Sequence, residues 1–196
     1  MWHLTVHLAC SQTPLEHQDN LKMTENNSDS QNQQLTTNQL TDYKNALYAL
    51  KQNQLTKAKN ILLNLIEEHP NLAGPHANLG IIYYKLDNIK LASTHLTKAI
   101  KLNPSNPYAH NTLALISKTE GNFTQAEKHL LIAINNKDDY AKAHFNLALL
   151  YDIYFHKIKE SIHHYRKYLV ILADKDLDDK KTRNWLEQLE NSLKKG

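Results

Sequence analysis

The sequence predicts an all-α fold, a solenoid of stacked helical hairpins, and three observations lead to this prediction. The 196 residues include only four glycines and five prolines, too few for the turns of a many-stranded sandwich or barrel. Apolar residues recur with i, i+3 and i+4 spacing, which is typical of amphipathic helices. From Gln39 onward the chain also repeats itself with a period of 34 residues. Because one amphipathic hairpin cannot bury its apolar face alone, such units are expected to stack.

The first 38 residues lie outside the repeat and divide into two parts. Residues 1–9 are fairly apolar and lead into Cys10, the single cysteine of the chain. This order partly fits a lipoprotein signal, although the basic start is missing and His7 stands where an aliphatic residue is usual. We expect either a lipid anchor at Cys10, with the true start farther upstream, or a plain N-terminus. Residues 11–38 are rich in Gln, Asn, Ser and Thr, which predicts a disordered polar tether.

Four repeat units follow, and each is expected to form two helices joined by a tight turn. The units span residues 39–72, 73–106, 107–140 and 141 to about 174, and the last contains one extra residue. The eighth and twentieth places are small in every unit, which allows two helices to cross with close axes. Those residues are Ala46, Gly80, Ala114 and Ala148 at place eight, and Ala58, Ala92, Ala126 and Ser161 at place twenty.

The segments between the helices carry turn signals. Asp87-Asn88-Ile89 and Gly121-Asn122-Phe123 are polar turns followed by an apolar residue, and Pro70 and Pro104 lie in the loops that close units one and two. The extra residue of unit four leaves the form of its inter-helix turn open. Residues 175–196 are expected to form a capping helix after an N-cap at Asp178 or Asp179, with Leu186, Leu189 and Leu193 on one stripe and Trp185 beside it.

This pattern resembles the tetratricopeptide repeat, and the resemblance covers residues 39 to about 174. The segment His76–Pro104 carries nearly every place of the family motif, with His76 where tryptophan is usual. The resemblance implies a protein-binding scaffold whose first helices line a concave groove. The cysteine and the polar tether ahead of the repeats are similar to the layout of bacterial lipoproteins of type IV pilus biogenesis, which usually have more repeats.

The resemblance also implies which residues bind a peptide. Asn78 and Asn146, at place six, would pair with the backbone of an extended chain, and apolar neighbours would supply anchor pockets. The expected peptide-binding residues are Asn78, Ile81, Tyr84, Tyr108, Asn111, Leu115, Lys142, Phe145, Asn146 and Leu149. Asp152 is a further expected groove position. The carboxylate clamp that holds acidic chaperone tails is incomplete, because unit one has Tyr43 and Leu47 at its clamp places.

Composition and motifs argue against an enzyme, a cofactor and a nucleic-acid partner. The net charge is +3, and only two basic residues are arginines, Arg166 and Arg183. No catalytic or phosphate-binding motif is present, and a single cysteine excludes a thiolate zinc site. The histidines at places four and twenty-three of units two to four are interpreted as structural, with place twenty-three toward the outer side of the second helix. A metal-binding, pH-sensitive or catalytic cluster of His156, His163 and His164 is the remote alternative.

Two hypotheses therefore stand. The first is a non-enzymatic scaffold, lipid-anchored on the periplasmic side of a bacterial envelope, which binds a protein or an extended peptide. It meets the membrane only through a lipid on Cys10 and serves envelope, pilus or secretion-system assembly. The alternative is a cytosolic adaptor or co-chaperone without the lipid. The identity of the partner and the oligomeric state stay open at this stage.

Overall fold

The computed structural model describes residues 36–195, which form α-helices and one π-helical turn, with no strand in that range. The predictions for Cys10 and for most of the tether lie outside the described residues. The helices are α1 (Thr37–Lys51), α2 (Leu55–Glu68), α3 (Ala73–Lys85), α4 (Ile89–Leu102), α5 (Pro107–Thr119), α6 (Phe123–Asn136), α7 (Ala141–Leu149), α8 (Ile158–Ala173) and α9 (Lys180–Lys195). The π-helix Leu150–Tyr154 continues α7. The predicted all-α fold of tetratricopeptide-type hairpins is confirmed.

The chain divides into two compact units, with the boundary between Pro75 and His76 inside α3. The described part of the first unit contains α1, α2 and the start of α3. Helix α1 begins at Thr37, two residues before Gln39, the predicted start of the first repeat. The reason is a capping box, in which Thr36 Oγ1 accepts from the Gln39 amide at 3.3 Å and Gln39 Oε1 accepts from the Thr36 amide at 3.0 Å.

The second unit, residues 76–195, contains the hairpins α3–α4, α5–α6 and α7–α8 and the helix α9. Its hairpins cross at the small residues that the repeat predicts. Ala92, Ala114, Ala126 and Ala148 are at most 1 % exposed. At Gly80 a β-carbon would come within 2.5 Å of Leu96 Cγ, so glycine sets the approach of α3 to α4. Apolar residues around these crossings, such as Leu79, Leu96 and Leu147, are fully buried.

The inter-helix turns use one residue with left-handed backbone geometry, followed by the helix N-cap. The left-handed residues are Asn53 (φ 55°), Asp87 (φ 58°), Gly121 (φ 77°) and His156 (φ 52°). Asn88 Oδ1 then accepts from the Leu91 amide, and Asn122 Oδ1 accepts from the Gln125 amide, both at 3.2 Å. In these two turns the aspartate or glycine adopts the left-handed conformation that reverses the chain, and the asparagine after it caps the next helix.

The extra residue of the fourth repeat is absorbed before its turn. Helix α7 widens into the π-helix Leu150–Tyr154, a form that a single inserted residue commonly produces. After this insertion His156 takes the left-handed position that Gly121 holds in the previous hairpin. The turn that the sequence left open is thus kept, and the irregularity lies in the helix.

Helix α9 closes the end of the second unit. Asp179 Oδ1 accepts from the Thr182 amide at 3.1 Å, and Asp179 Oδ2 accepts from Tyr168 Oη of α8 at 3.0 Å. Asp179 is therefore the N-cap, one of the two residues predicted for that role. Leu186 and Leu189 are buried, whereas Leu193 is exposed. Among the described residues, none of the helices combines the length and the apolar character needed to cross a lipid bilayer.

Candidate functional site

The candidate site lies on the first helices of the hairpins in the second unit. Helices α5 and α7 are in direct contact. Across that contact Asn146 Nδ2 donates to Asn111 Oδ1 at 2.9 Å. Leu115 follows Asn111 by one helical turn, and Lys142 precedes Asn146 by one turn. The face of α5 and α7 that carries Asn111, Leu115, Lys142 and Asn146 is called the A-helix face below.

The predicted peptide-binding residues differ in accessibility. Four of them are buried: Asn78, Ile81, Tyr108 and Asn111. The other six are partly exposed: Tyr84, Leu115, Lys142, Phe145, Asn146 and Leu149. Asn78 was predicted to bond a peptide backbone, but it has 0 % exposure in the structure. The accessible polar group of the two place-six asparagines is therefore Asn146.

Phe145 and Leu149 mainly pack against side chains of the neighbouring helices. The Phe145 ring lies 5.0 Å from the Tyr168 ring and 6.0 Å from the Tyr165 ring, both on α8. Both Phe145 and Leu149 also pack against a buried cluster that includes Leu186 and Leu189 of α9. Tyr108 similarly stacks edge-on with Tyr140 at 5.0 Å. These aromatic and apolar groups set the shape of the site, and only part of their surface is accessible.

The sequence did not predict the contact between Asp152 and Trp185. Asp152, expected in the groove, is 9 % exposed, and its carboxylate accepts from Trp185 Nε1 at 2.8 Å and from Tyr165 Oη at 3.4 Å. Burial raises the pKa of Asp152 above its usual value, and the two hydrogen bonds oppose that shift. Trp185 itself is 41 % exposed. The π-helix is thus tied to α9, and Trp185 leaves an accessible aromatic surface on that helix.

The histidines correct another part of the interpretation. Place twenty-three was expected on the outer side of the second helix, but its histidines are partly buried and contact those at place four of the same hairpin. The Nδ1–Nδ1 distances are 3.1 Å for His76–His95, 2.9 Å for His110–His129 and 3.0 Å for His144–His164. Sequence periodicity aligns equal places of different repeats, so it does not reveal a contact between two places of one repeat.

The described residues contain no group of three or more histidine, cysteine, aspartate or glutamate side chains that could hold a metal ion. His156, a member of the alternative cluster, is an exposed turn residue. His163 and His164 are neighbours with ring centroids 5.0 Å apart. Two adjacent rings do not by themselves provide the three or four ligands of a zinc site.

Comparison with known proteins supports the fold. The family model described as tetratricopeptide repeat matches residues 75–106. Comparison with curated protein sequences gives no match. Among solved structures, PilF of Pseudomonas aeruginosa is similar with a TM-score of 0.67 and 18 % identity, over 80 % of this chain and 69 % of PilF.

Two structures described with peptides are also similar. The first tetratricopeptide domain of Spaghetti (RPAP3), bound to the HSP90 peptide SRMEEVD, has a TM-score of 0.54 and 21 % identity, over 62 % of this chain and 92 % of that domain. YrrB, described as having an unusual peptide-binding site, has a TM-score of 0.53 and 19 % identity, over 69 % of this chain and 70 % of YrrB. The repeated hairpins, the small residues at their crossings and these matches show that the chain has the fold of tetratricopeptide-repeat proteins, with the family model matching one repeat unit.

Proposed function

We propose that this protein is a non-enzymatic interaction scaffold that binds an extended peptide segment of a protein partner on the A-helix face. The observation that carries the proposal is the hydrogen bond between Asn146 and Asn111. It holds α5 and α7 together while Asn146 stays partly exposed. A fixed, partly exposed amide at the contact between two helices is a preorganised partner for a peptide backbone.

The remaining groups on the face suit the same ligand. The bond to Asn111 uses one N–H of Asn146, and a side-chain amide has a second N–H and a carbonyl oxygen for hydrogen bonding. Leu115, one turn from Asn111, offers a partly exposed apolar contact. Trp185, 41 % exposed, offers an aromatic surface on the adjoining helix α9. Two structurally similar proteins are described with bound peptide or a peptide-binding site, which favours this ligand class.

A displayed library of random linear peptides, selected on the full chain, tests this proposal. The selected peptides should shift the NMR signals of α5 and α7 around Leu115 and Asn146 when added to the labelled protein. Leu115→Lys should weaken their binding at least about tenfold, because it places a charge in an apolar contact. Leu131→Lys on α6, where Leu131 is 39 % exposed, is the matched control and should bind as the wild type does.

We further propose that the scaffold is a lipoprotein of a bacterial envelope, anchored through Cys10 and acting in the assembly of a pilus or a secretion system. Two observations support this. An apolar segment leads into Cys10 and a polar stretch follows it. PilF, whose fold is similar, also carries a name that refers to pili. The alternative is a cytosolic adaptor or co-chaperone without a lipid.

Incorporation of labelled palmitate separates these alternatives. The protein is expressed from its native upstream DNA, and Cys10→Ser is compared with the wild type. Label that is present in the wild type and lost in the variant supports the anchored scaffold. Absence of label in both forms contradicts the lipid anchor and favours the cytosolic adaptor, whereas the peptide-binding proposal would stand.

A further inference from the structure

Each of the three hairpins in the second unit has one histidine pair that bridges its two helices. The pairs are His76–His95, His110–His129 and His144–His164, called the hairpin histidine pairs below. Each joins place four of the first helix to place twenty-three of the second, at Nδ1–Nδ1 distances of 2.9–3.1 Å. The N-terminal repeat has Asp42 and Ile61 at these two places.

Such a contact requires one ring to donate and the other to accept. In the His110–His129 pair the other ring nitrogens define the roles. His110 Nε2 lies 2.8 Å from the Pro104 carbonyl oxygen, which only accepts, so Nε2–H donates to it. Neutral His110 then has a lone pair on Nδ1, which accepts from Nδ1–H of His129. His129 Nε2 is left to accept from Gln125 Nε2 at 2.9 Å.

The His144–His164 pair follows the same logic. His144 Nε2 lies 3.0 Å from the carbonyl oxygen of Asp138, so His144 donates there and accepts on Nδ1 from His164. In both hairpins the histidine of the first helix is tied to the loop that precedes the helix. Because each Nδ1–Nδ1 bond needs one lone pair, a pair can carry at most one extra proton while the bond lasts.

The surroundings do not favour two charges. Lys128 adds positive charge near His129, while Lys167 and His163 add it near His144 and the Asp138 carboxylate partly offsets it. The Tyr151 ring lies 5.8 Å from the ring of His164 on α8. The Tyr83 ring stacks on His95 at 5.4 Å. The charged groups near the pairs are thus mainly positive.

We propose that the hairpin histidine pairs make the second unit acid-sensitive. When both rings of a pair are protonated, both Nδ1 atoms are N–H donors, the hydrogen bond between them is lost, and the helices of that hairpin separate. Unfolded histidines bind two protons per pair in acid, whereas a folded pair binds at most one. Unfolding therefore takes up protons, and the equilibrium shifts toward the open form as the pH falls.

The pKa directions agree with this geometry. Burial lowers the pKa of His129 from 6.5 to about 4, assisted by repulsion from a protonated His110 and from the positive charge of Lys128. Burial, with His144 and His163, also lowers the pKa of His164 from 6.5 to about 4. The pKa values of His95, His110 and His144 are lowered mainly by burial too. A lowered folded-state pKa contributes stability above pH 6.5 that is lost as the pH falls toward 4.

The test is the pH dependence of urea unfolding of the full chain between about pH 7 and pH 5.5, above the range in which most carboxylates titrate. The equilibrium constant for unfolding of the wild type should rise at least about 100-fold for each unit by which the pH falls near pH 5.5. The reason is that each of the three pairs takes up close to one proton or more on unfolding. The triple variant His95→Gln, His129→Gln and His164→Gln should show a clearly smaller slope. A glutamine amide can donate or accept, so the remaining histidine can be protonated without losing its contact.

His156→Asn is the matched control, since it removes an exposed histidine and keeps a residue that tolerates left-handed geometry. It should retain the wild-type slope. An equal slope in the triple variant and the wild type would overturn the proposal. If the triple variant does not fold, ring ¹⁵N NMR of the wild type decides. Neutral Nδ1–H rings at His129 and His164 at pH 6 support the proposal, and a folded protein with both rings of each pair protonated at pH 5.5 overturns it.

Discussion

Asn146 Nδ2 donates a hydrogen bond to Asn111 Oδ1 at 2.9 Å, which joins the sixth place of one repeat to the fifth place of the repeat before it. Asn111 is 4 % exposed, whereas Asn146 is partly accessible. The pair therefore has two consequences. It stabilises the contact between α5 and α7, and it fixes the orientation of the accessible amide that we propose a ligand binds.

Asn146→Leu should lower the free energy of unfolding by about 1–3 kcal/mol, because Asn111 Oδ1 loses its donor in a buried position. The double variant Asn111→Leu with Asn146→Leu should lose less than the sum of the two single variants. Urea unfolding of the four proteins measures this coupling. Additive losses would show that the two side chains do not act as a bonded pair.

Trp185→Phe should weaken the attachment of α9. The substitution keeps an aromatic ring but removes the N–H that donates to the buried Asp152 carboxylate at 2.8 Å. The free energy of unfolding should fall by about 1–3 kcal/mol. The pKa of Asp152, already raised by burial, should rise further because a hydrogen bond that lowers it is lost. Carboxyl ¹³C NMR measures the titration, and an unchanged Asp152 pKa would contradict the bond.

Gly80→Ala should destabilise the α3–α4 hairpin. Its β-carbon would lie within 2.5 Å of Leu96 Cγ and 3.1 Å of the Leu96 backbone nitrogen, so the helices must separate. We expect a loss of about 1–3 kcal/mol in unfolding free energy. Combining it with Leu96→Ala should cost less than the sum, because the smaller side chain relieves part of the clash. A variant as stable as the wild type would show that α3 and α4 have room to spare.

His156→Gly should stabilise the α7–α8 hairpin by up to about 1 kcal/mol, because His156 has φ 52°, a conformation that costs energy for a residue with a β-carbon. Gly121→Ala, in the equivalent turn of the α5–α6 hairpin with φ 77°, is the reciprocal experiment and should lose about 1 kcal/mol. Thermal unfolding measures both. Destabilisation by His156→Gly would indicate that the imidazole makes a contact that outweighs its backbone strain.

The repeat period could predict the hairpins, the small residues at their crossings and the turns, because each of these depends on short-range spacing. The local sequence also predicted an N-cap of α9 at Asp178 or Asp179, since a capping aspartate bonds within its own first turn, and Asp179 takes that role. The π-helix was not predictable in the same way. An inserted residue can enter a turn or a helix, and here the π-helix places Asp152 in contact with Trp185 and Tyr165, which are distant in the sequence.

The candidate site was less predictable than the fold. Family places indicate which direction a side chain takes, but not what covers it. Asn78 is fully buried, and Phe145 packs between the tyrosines of α8 and the leucines of α9. The histidine pairs were missed for a related reason, because periodicity compares equal places along the chain and does not reveal contacts between different places.

Leu115→Lys is the sharpest test of peptide binding at the A-helix face. Calorimetric titration of a library-selected linear peptide should show at least about tenfold weaker binding to Leu115→Lys than to the wild type, with helical circular dichroism unchanged. Leu131→Lys, on α6, should bind with wild-type affinity. Equal affinity of all three proteins would contradict the proposed site and place peptide binding elsewhere on the molecule.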